Sequence, residues 1–143
     1  MARVKLVLPE QFRFSTRIPV RITDLNYGGH VGNDSILSLI HESRMQYLAS
    51  LGYSEKNLEG TGMIMSDVSI EFKNELFYGD TVIAYVSAGD IGKFSFELYY
   101  KLVKEKDGQT VTVANAKTGM VCYDYELKKV VPLPGAAKKA FES

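Results

Sequence analysis

A loop rich in glycine and polar residues runs directly into a long helical pattern between Thr23 and Gly52. Glycine reaches backbone conformations that other residues avoid, so such a loop can turn its N–H groups towards a bound group. A helix that begins directly behind the loop adds unpaired N–H groups and the positive end of its dipole. The junction therefore has the features of a small binding or catalytic site. A tight turn before a capped helix would also explain the glycines, but it would not explain His30.

The helical pattern covers residues 34–51 and is about 27 Å long, enough to cross a whole sheet. At 100° per residue, its apolar side chains fall on one broad arc. The arc comprises Ile36, Leu37, Leu39, Ile40, Tyr47, Leu48 and Leu51. Arg44 falls inside the arc, and we expect it either to snorkel past the core, the commoner outcome, or to pair with a carboxylate. Gly52 is the expected C-terminal stop.

Alternating apolar and polar residues predict strands on both sides of this helix. The predicted strands are 12–22, 63–76, 81–88, 94–103 and 111–125, and a short helix is predicted at 136–141. Pro19 indicates that the first strand lies at a sheet edge, because proline cannot donate to a ladder. Short connections between the later strands favour antiparallel pairing, and the single long helix must bury its apolar face against them. The predicted fold class is α+β.

The strand predicted at 63–76 has two distinct faces. One face carries Ile64, Val68, Ile70 and Phe72, and the other carries Met65, Asp67, Ser69, Glu71 and Glu75. This polar and methionine-rich second face would be exposed in a monomer, so we expect a second subunit to cover it.

The composition limits the classes of function. Lys and Arg number 17, as do Asp and Glu, so the chain has no general attraction for nucleic acid or an anionic membrane. No apolar run approaches the roughly 18 residues of a membrane span, and the first run ends at Pro9, too early for a signal peptide. Cys122 is the only cysteine, and in a strand-like run a buried, inert thiol fits better than a nucleophile. We expect one cytoplasmic domain, residues 1–143.

The loop resembles that of the hotdog-fold thioesterases, in particular the 4-hydroxybenzoyl-CoA thioesterase-like group and the plant acyl-carrier-protein thioesterases. Their pattern, close to D-x-D-x-x-x-H-V-x-N before a central helix, stands here as D-L-N-Y-G-G-H-V-G-N at residues 24–33. The similarity continues at Glu42, at residues 69–72, at Glu75 and at residues 78–80. The resemblance implies a hotdog fold, in which a curved antiparallel sheet wraps the long central helix. It also implies a homodimer or homotetramer that binds an acyl-CoA or acyl carrier protein thioester between subunits.

The resemblance also implies a set of catalytic residues, with one departure. Many relatives carry a catalytic Asp where this chain has Asn26, whose amide can orient a water but cannot act as a base. Plant-type relatives also have an Asn at the position of Gly28. His30 and Glu75 match plant-type catalytic positions, which implies a His–Glu arrangement with Asn26 orienting and Asp24 in support.

Two further predictions concern the base and the substrate carbonyl. Asp67, on the same predicted strand face as Glu75, is a second candidate for the general base. In the family, backbone N–H groups at the loop–helix junction polarise the thioester carbonyl. The corresponding substrate-binding residues here are Gly28, Gly29, Val31, Gly32 and Asn33. No metal or organic cofactor is predicted, because two separated histidines and one cysteine do not make a metal site.

Three functions remain open from the sequence. The leading one is an acyl-CoA thioesterase that releases a carboxylic acid and CoA. The second is a hotdog-type enoyl-CoA hydratase, whose usual pattern D-x-N-P-x-H is matched only by Asp24 and Asn26, since the proline is absent and His30 comes one residue late. The third is a non-catalytic acyl-CoA binding or regulatory module that lost its chemistry with the Asp.

Overall fold

The computed structural model describes residues 3–143, and these contain six strands and two helices. In chain order they are β1 Phe14–Pro19, α1 Asn33–Ser50, β2 Gly62–Phe72, β3 Thr81–Gly89, β4 Ser95–Lys106, β5 Gln109–Asp124, β6 Lys129–Val130 and α2 Gly135–Glu142. A turn of 3-10 helix, Ile22–Asp24, separates β1 from the loop before α1. The order of a strand, a long helix and four further strands is as predicted, whereas the two-residue β6 was not predicted.

The strands form one antiparallel sheet in the order β1-β3-β4-β5-β2, and β6 pairs with β5. β1 lies at an edge, which confirms the prediction made from Pro19. β2 lies at the opposite edge, so one side of its backbone is unpaired in the described chain. The β4–β5 hairpin turns at Asp107 and Gly108, whose φ angles of 53° and 77° explain the Asp-Gly pair.

Helix α1 packs its apolar side on one face of the sheet. Its buried residues are Ile36, Leu39, Ile40, Ser43, Arg44, Tyr47 and Leu48. Leu37 was predicted to be buried, but it is 38% exposed. Ser43 takes a buried position instead, because its hydroxyl donates to the Leu39 carbonyl at 2.7 Å and is thereby satisfied.

Arg44 is buried and pairs with a carboxylate, the less common of the two outcomes expected from the sequence. Its Nε lies 3.4 Å from Oε2 of Glu55, and its Nη1 donates to the Tyr100 hydroxyl at 3.2 Å. The Tyr100 hydroxyl also bonds Thr118 Oγ1 at 2.8 Å inside the sheet. These partners let a guanidinium lie between helix and sheet, because a buried charge is tolerated when it is paired and hydrogen-bonded.

The two predicted faces of β2 were partly wrong, because the strand contains a bulge between Met65 and Asp67. The extra residue reverses the facing of every residue before it relative to those after it. Met65 therefore pairs with the buried Met120 and lies on the face towards α1. Val68, Ile70 and Phe72 lie on the same face. Ile64 lies on the other face.

The chain before β1 crosses the face of the sheet that α1 does not cover. We call residues 3–13 the N-terminal strap. The Leu6 N–H donates to Oε1 of Glu71 on β2 at 2.8 Å, and the Arg13 N–H donates to Oγ of Ser87 on β3 at 2.9 Å. The Phe12 ring also packs against Tyr85, with 5.9 Å between ring centroids. The strap thus connects the β2 edge of the sheet to its other half.

Candidate active site

The glycine loop folds into a tight hairpin that ends at His30. The Asn26 N–H donates to the His30 carbonyl at 2.9 Å, and the Gly29 N–H donates to the Asn26 carbonyl at 3.1 Å. Gly29 has a φ of +83°, a conformation that side chains other than glycine disfavour. The Asn26 side chain closes the hairpin, because its Oδ1 accepts the Gly28 N–H at 2.8 Å. Because Oδ1 is the acceptor in this contact, Nδ2 is the donor end of the Asn26 amide.

Asp24 contacts residues at both ends of the glycine loop. Its side chain is buried and accepts the Arg21 N–H at 2.8 Å, while Nη2 of Arg21 lies 3.2 Å from the second carboxylate oxygen. The Asp24 carbonyl accepts the Gly32 N–H at 3.3 Å. Both oxygens of the Asp24 carboxylate are therefore engaged by Arg21 within the loop.

His30 and Glu75 come together at a cavity of about 260 Å³. The distance from Nε2 of His30 to Oε1 of Glu75 is 3.9 Å, and both side chains are partly exposed, at 36% and 62%. The other ring nitrogen, Nδ1, lies 3.3 Å from the Val31 carbonyl. Since a carbonyl only accepts, Nδ1 is the donor in this contact, and Nε2 is the ring nitrogen that faces Glu75.

The segment that carries Glu75 is held from both sides. The Val31 N–H donates to the Leu76 carbonyl at 2.9 Å, which ties the segment to the glycine loop. Nζ of Lys104, whose side chain is 7% exposed, donates to the Glu75 carbonyl at 2.7 Å and to Oδ2 of Asp80 at 3.1 Å. Burial acts to raise the pKa of Asp80, but the Phe77 N–H and the Lys104 ammonium outweigh it, and the pKa lies below its ordinary value.

Lys104 is a residue that our sequence reasoning missed, although the sequence contains a signal. Phe96, Leu98, Tyr100 and Leu102 alternate along one face of β4, and Lys104 continues the same alternation. A charged residue on the core face of a strand requires a buried partner. The sequence could not show that this partner is the loop beside the candidate catalytic residues.

Gly28 leaves space between Asn26 and His30. A Cβ atom added to Gly28 would lie 3.1 Å from Oδ1 of Asn26 and 3.6 Å from Nε2 of His30. Oδ1 of Asn26 and Nε2 of His30 therefore lie near each other beside Gly28, although Asn26 does not line the cavity that His30 and Glu75 share. Of the five predicted catalytic residues, the structure thus brings His30 and Glu75 together at the cavity, with Asn26 and Asp24 in the adjoining loop.

Asp67 lies elsewhere. Its carboxylate is 60% exposed and 3.7 Å from Nζ of Lys117, which also contacts Oε1 of Glu97 at 3.0 Å. Asp67 lies in the middle of β2 on the face opposite α1, whereas Glu75 follows the end of that strand. Within one chain, therefore, the structure separates the two carboxylates that the sequence placed on a common face.

The N-terminus of α1 opens into the same cavity. Gly32 precedes the helix, and no side chain caps the first turn. The N–H groups of Gly28, Gly29, Val31 and Gly32 all donate within the protein. Asn33, the first helical residue, lines the cavity together with Val31. Of the predicted substrate-binding residues, Asn33 therefore has the best-placed backbone donor for a ligand, with the helix dipole behind it.

Two further properties concern the described chain as a whole. Among residues 3–143, no three His, Cys, Asp or Glu side chains gather in a way that would hold a metal ion. No helix in this range has both the length and the apolar character that crossing a membrane requires.

Cys122 is fully buried, as predicted, and burial raises the pKa of its thiol to about 11.

The family profile of the thioesterase-like superfamily matches residues 20–141, which include both the glycine loop and Glu75. The chain belongs to this superfamily. Among curated proteins, this thioesterase-like chain is 27% identical over 123 residues to a protein of Aquifex aeolicus (strain VF5) provisionally named as an esterase. That alignment covers 85% of this chain and 91% of the Aquifex protein.

Solved structures of thioesterases share the fold. A 1,4-dihydroxy-2-naphthoyl-CoA thioesterase from Synechocystis superposes with a TM-score of 0.80 at 22% identity, covering 91% of this chain and 96% of that one. A mutant 4-hydroxybenzoyl CoA thioesterase complexed with 4-hydroxybenzoyl CoA superposes with a TM-score of 0.81 at 15% identity, covering 90% and 97%. The predicted hotdog fold, a long helix wrapped by a curved antiparallel sheet, is confirmed.

Proposed function

We propose that this protein hydrolyses an acyl-CoA thioester to a carboxylic acid and CoA. The observation that carries the proposal is the approach of His30 to Glu75 at a cavity into which the uncapped N-terminus of α1 also opens. A base, an imidazole and a backbone donor at one cavity are the groups that acyl transfer to water needs. Membership of the thioesterase-like superfamily supports the same class of reaction.

In the proposed mechanism, the thioester carbonyl oxygen accepts the Asn33 N–H, and the α1 dipole stabilises the negative charge that develops there. Glu75 takes a proton from a water molecule that also contacts Nε2 of His30, and the water oxygen adds to the carbonyl carbon. The tetrahedral intermediate then collapses, its C–S bond breaks, and the proton held by Glu75 passes to the leaving thiolate. Glu75 is thereby regenerated as a carboxylate, and no cofactor is needed for the balance.

Asn26 has a neutral role in this proposal. Its Oδ1 accepts the Gly28 N–H, so its Nδ2 is available to donate to the substrate or to the attacking water. An amide at this position cannot take the proton, and we assign the role of base to Glu75.

We assign the acyl group of the substrate to the apolar wall of the cavity. Val31, Ile36, Phe72 and Leu76 line it, and Phe72 is 51% exposed at the end of β2. An aromatic ring stacked on Phe72 would gain roughly 1 kcal/mol beyond its area burial. We therefore favour an aromatic or short apolar acyl group as the substrate.

A second copy of this chain completes the site in our proposal. β2 is an edge strand, and Ile64, Met65 and Phe72 on it are 37%, 41% and 51% exposed. Unpaired strand edges with exposed apolar residues are generally covered in stable proteins. We expect a homodimer or a larger symmetric oligomer, and sedimentation of a stable, fully active monomer would contradict this.

One substrate panel tests the proposed function. Purified protein is mixed with short, medium, long and aromatic acyl-CoAs, and free thiol is followed together with hydration of an enoyl-CoA. We expect thiol release with at least one aromatic or short acyl-CoA and no hydration. Hydration without thiol release would favour the hydratase, although the use of the Asp24 carboxylate by Arg21 argues against it. Tight acyl-CoA binding with no turnover would indicate a binding module.

A further inference from the structure

A second cavity adjoins the candidate active site. It has a volume of about 820 Å³ and lies between the N-terminal strap and the end of β2. Phe72 and Lys73 line both cavities, so the two cavities border the same end of the strand. Its size is within the range of pockets that hold small organic ligands.

The charged residues of this cavity are mostly cations. Arg3 and Lys5 belong to the strap, Glu71 belongs to β2, and Lys73 is the residue directly after β2. Glu71 is already engaged, because it accepts the Leu6 N–H at 2.8 Å and lies 3.3 Å from Nζ of Lys73. The Leu6 N–H and the Lys73 ammonium lower the pKa of the Glu71 carboxyl, which keeps it ionised. Three cations and one carboxylate leave two positive charges in excess.

Asn115 adds a polar group to the wall of this cavity. Its Oδ1 is buried and accepts no hydrogen bond from the described residues. Buried polar atoms without partners are rare, and each requires an explanation. A ligand N–H that meets this amide, after a small rotation of the side chain, would supply the missing donor.

We propose that this cavity binds the phosphate groups of a CoA thioester, while the thioester itself lies against His30 and Glu75. The inference rests on the proposed function, and it adds the residues that recognise the anionic end of the substrate. The guanidinium of Arg3 donates to phosphate oxygens in a fork, and the lysines act as point charges. The pantetheine portion, with its amide N–H groups, passes between the two cavities and meets Asn115.

Two sources supply a phosphate next to pantetheine. CoA carries a nucleotide with several phosphates, whereas a carrier protein carries one phosphodiester on its prosthetic group. The concave shape and the several cations fit the compact, multiply charged nucleotide better than a single phosphodiester. We therefore assign the cavity to CoA.

The test uses the full chain with Arg3→Gln and Lys5→Gln combined. Both residues are exposed, so the fold should be retained, as circular dichroism can verify. The matched control is Lys138→Gln with Lys139→Gln, which removes the same charge from exposed positions on α2. Calorimetric titration with adenosine 3′,5′-bisphosphate gives a readout that is independent of turnover. We expect binding to weaken about tenfold or more in the strap variant, since each tenfold is about 1.4 kcal/mol, and less than twofold in the control.

Kinetic measurements then distinguish CoA from a carrier protein as the source of the phosphate. They also separate the proposal of a phosphate-binding cavity from the proposed thioesterase function. We expect the strap variant to raise KM for an acyl-CoA about tenfold, and to leave KM unchanged for the same acyl group on pantetheine or on a carrier protein. An equal rise with the carrier-protein substrate would overturn the assignment to CoA. Bisphosphate binding that is unchanged in the strap variant would overturn the proposal that this cavity binds phosphate groups, even if hydrolysis is observed. Bisphosphate binding that weakens as expected, with no thioester hydrolysed by the native protein, would retain the cavity and reject the proposed function.

Discussion

Nε2 of His30 lies 3.9 Å from Oε1 of Glu75, although the two residues belong to different loops. The separation exceeds that of a direct hydrogen bond and lets both groups contact one water molecule. It is maintained by the bond from the Val31 N–H to the Leu76 carbonyl and by Lys104, which holds the Glu75 carbonyl. The backbone, and not the two side chains, therefore sets the geometry of the candidate site.

The two histidines of the chain should differ in their importance for turnover. His41 lies on α1, and its Nε2 is 2.7 Å from Oε1 of Glu55, away from the cavity. We expect His30→Ala to lower kcat by about 10²-fold or more, because it removes the imidazole that contacts the water. His41→Ala should change kcat less than twofold. Equal kinetics of the two variants would show that His30 only stabilises the loop.

Lys104 should support activity without contacting the substrate. Lys104→Met leaves the Glu75 carbonyl and the Asp80 carboxylate without their buried donor. We expect a loss of unfolding free energy on the order of 2 kcal/mol. We also expect a lower kcat with little change in KM, because Glu75 is misplaced. Lys101→Met, on the opposite face of β4, is the control. Native kcat in a folded Lys104→Met protein would remove the positioning role.

The stability of the fold should depend on Asp80 in acid. The folded-state pKa of Asp80 is lower than its ordinary value, so its contribution is complete above the unfolded pKa of about 3.9 and is lost as the pH falls through the folded pKa. Asp80→Asn should therefore lower Tm at pH 7, and the difference from the native protein should shrink as the pH falls below about 3.9. Thermal unfolding of both proteins between pH 2 and 7 measures this. A constant difference in Tm over that range would contradict the linkage.

Cys122 should be chemically inert in the folded protein. Burial raises the pKa of its thiol to about 11, so the thiolate is scarce at pH 8. We expect iodoacetamide to label Cys122 only after urea is added, and Cys122→Ala to retain native turnover. Rapid labelling of the native protein would place the thiol at an accessible site.

The sequence predicted the elements of the fold well, because hydrophobic period and turn residues are local properties. It placed α1 to within one residue at each end and identified β1 as an edge strand from Pro19 alone. It failed at Ile64 and Met65, because a single extra residue in β2 exchanges the two faces and leaves no reliable mark in the sequence. The prediction that Leu37 is buried was wrong, because a broad apolar arc on a helix does not show which of its residues the sheet covers.

The candidate site was predictable only in part. The motif indicated His30 and Asn26, and Glu75 came from the resemblance to plant-type relatives. Asp67 was grouped with Glu75 on the assumption that the strand continues to residue 76, whereas β2 ends at Phe72. The contacts of Lys104 and the approach of the strap to Lys73 depend on tertiary packing between distant segments, which no local pattern contains.

Asn26 offers a separate test of the site. Asn26→Asp introduces the residue that is common in relatives, and its carboxylate can still accept the Gly28 N–H. We expect activity to be retained or increased, because a second base then lies beside His30. A loss of activity in a folded Asn26→Asp protein, measured by thiol release, would show that a neutral donor is required at this position.

The central claim is that Glu75 is the general base. Thiol release from an acyl-CoA that the native protein hydrolyses should be compared for Glu75→Gln and for Asp67→Asn, which removes a similarly exposed carboxylate from β2. We predict that Glu75→Gln lowers kcat by about 10²–10⁴, while Asp67→Asn changes it less than twofold. Near-native turnover of a folded Glu75→Gln protein would contradict the account.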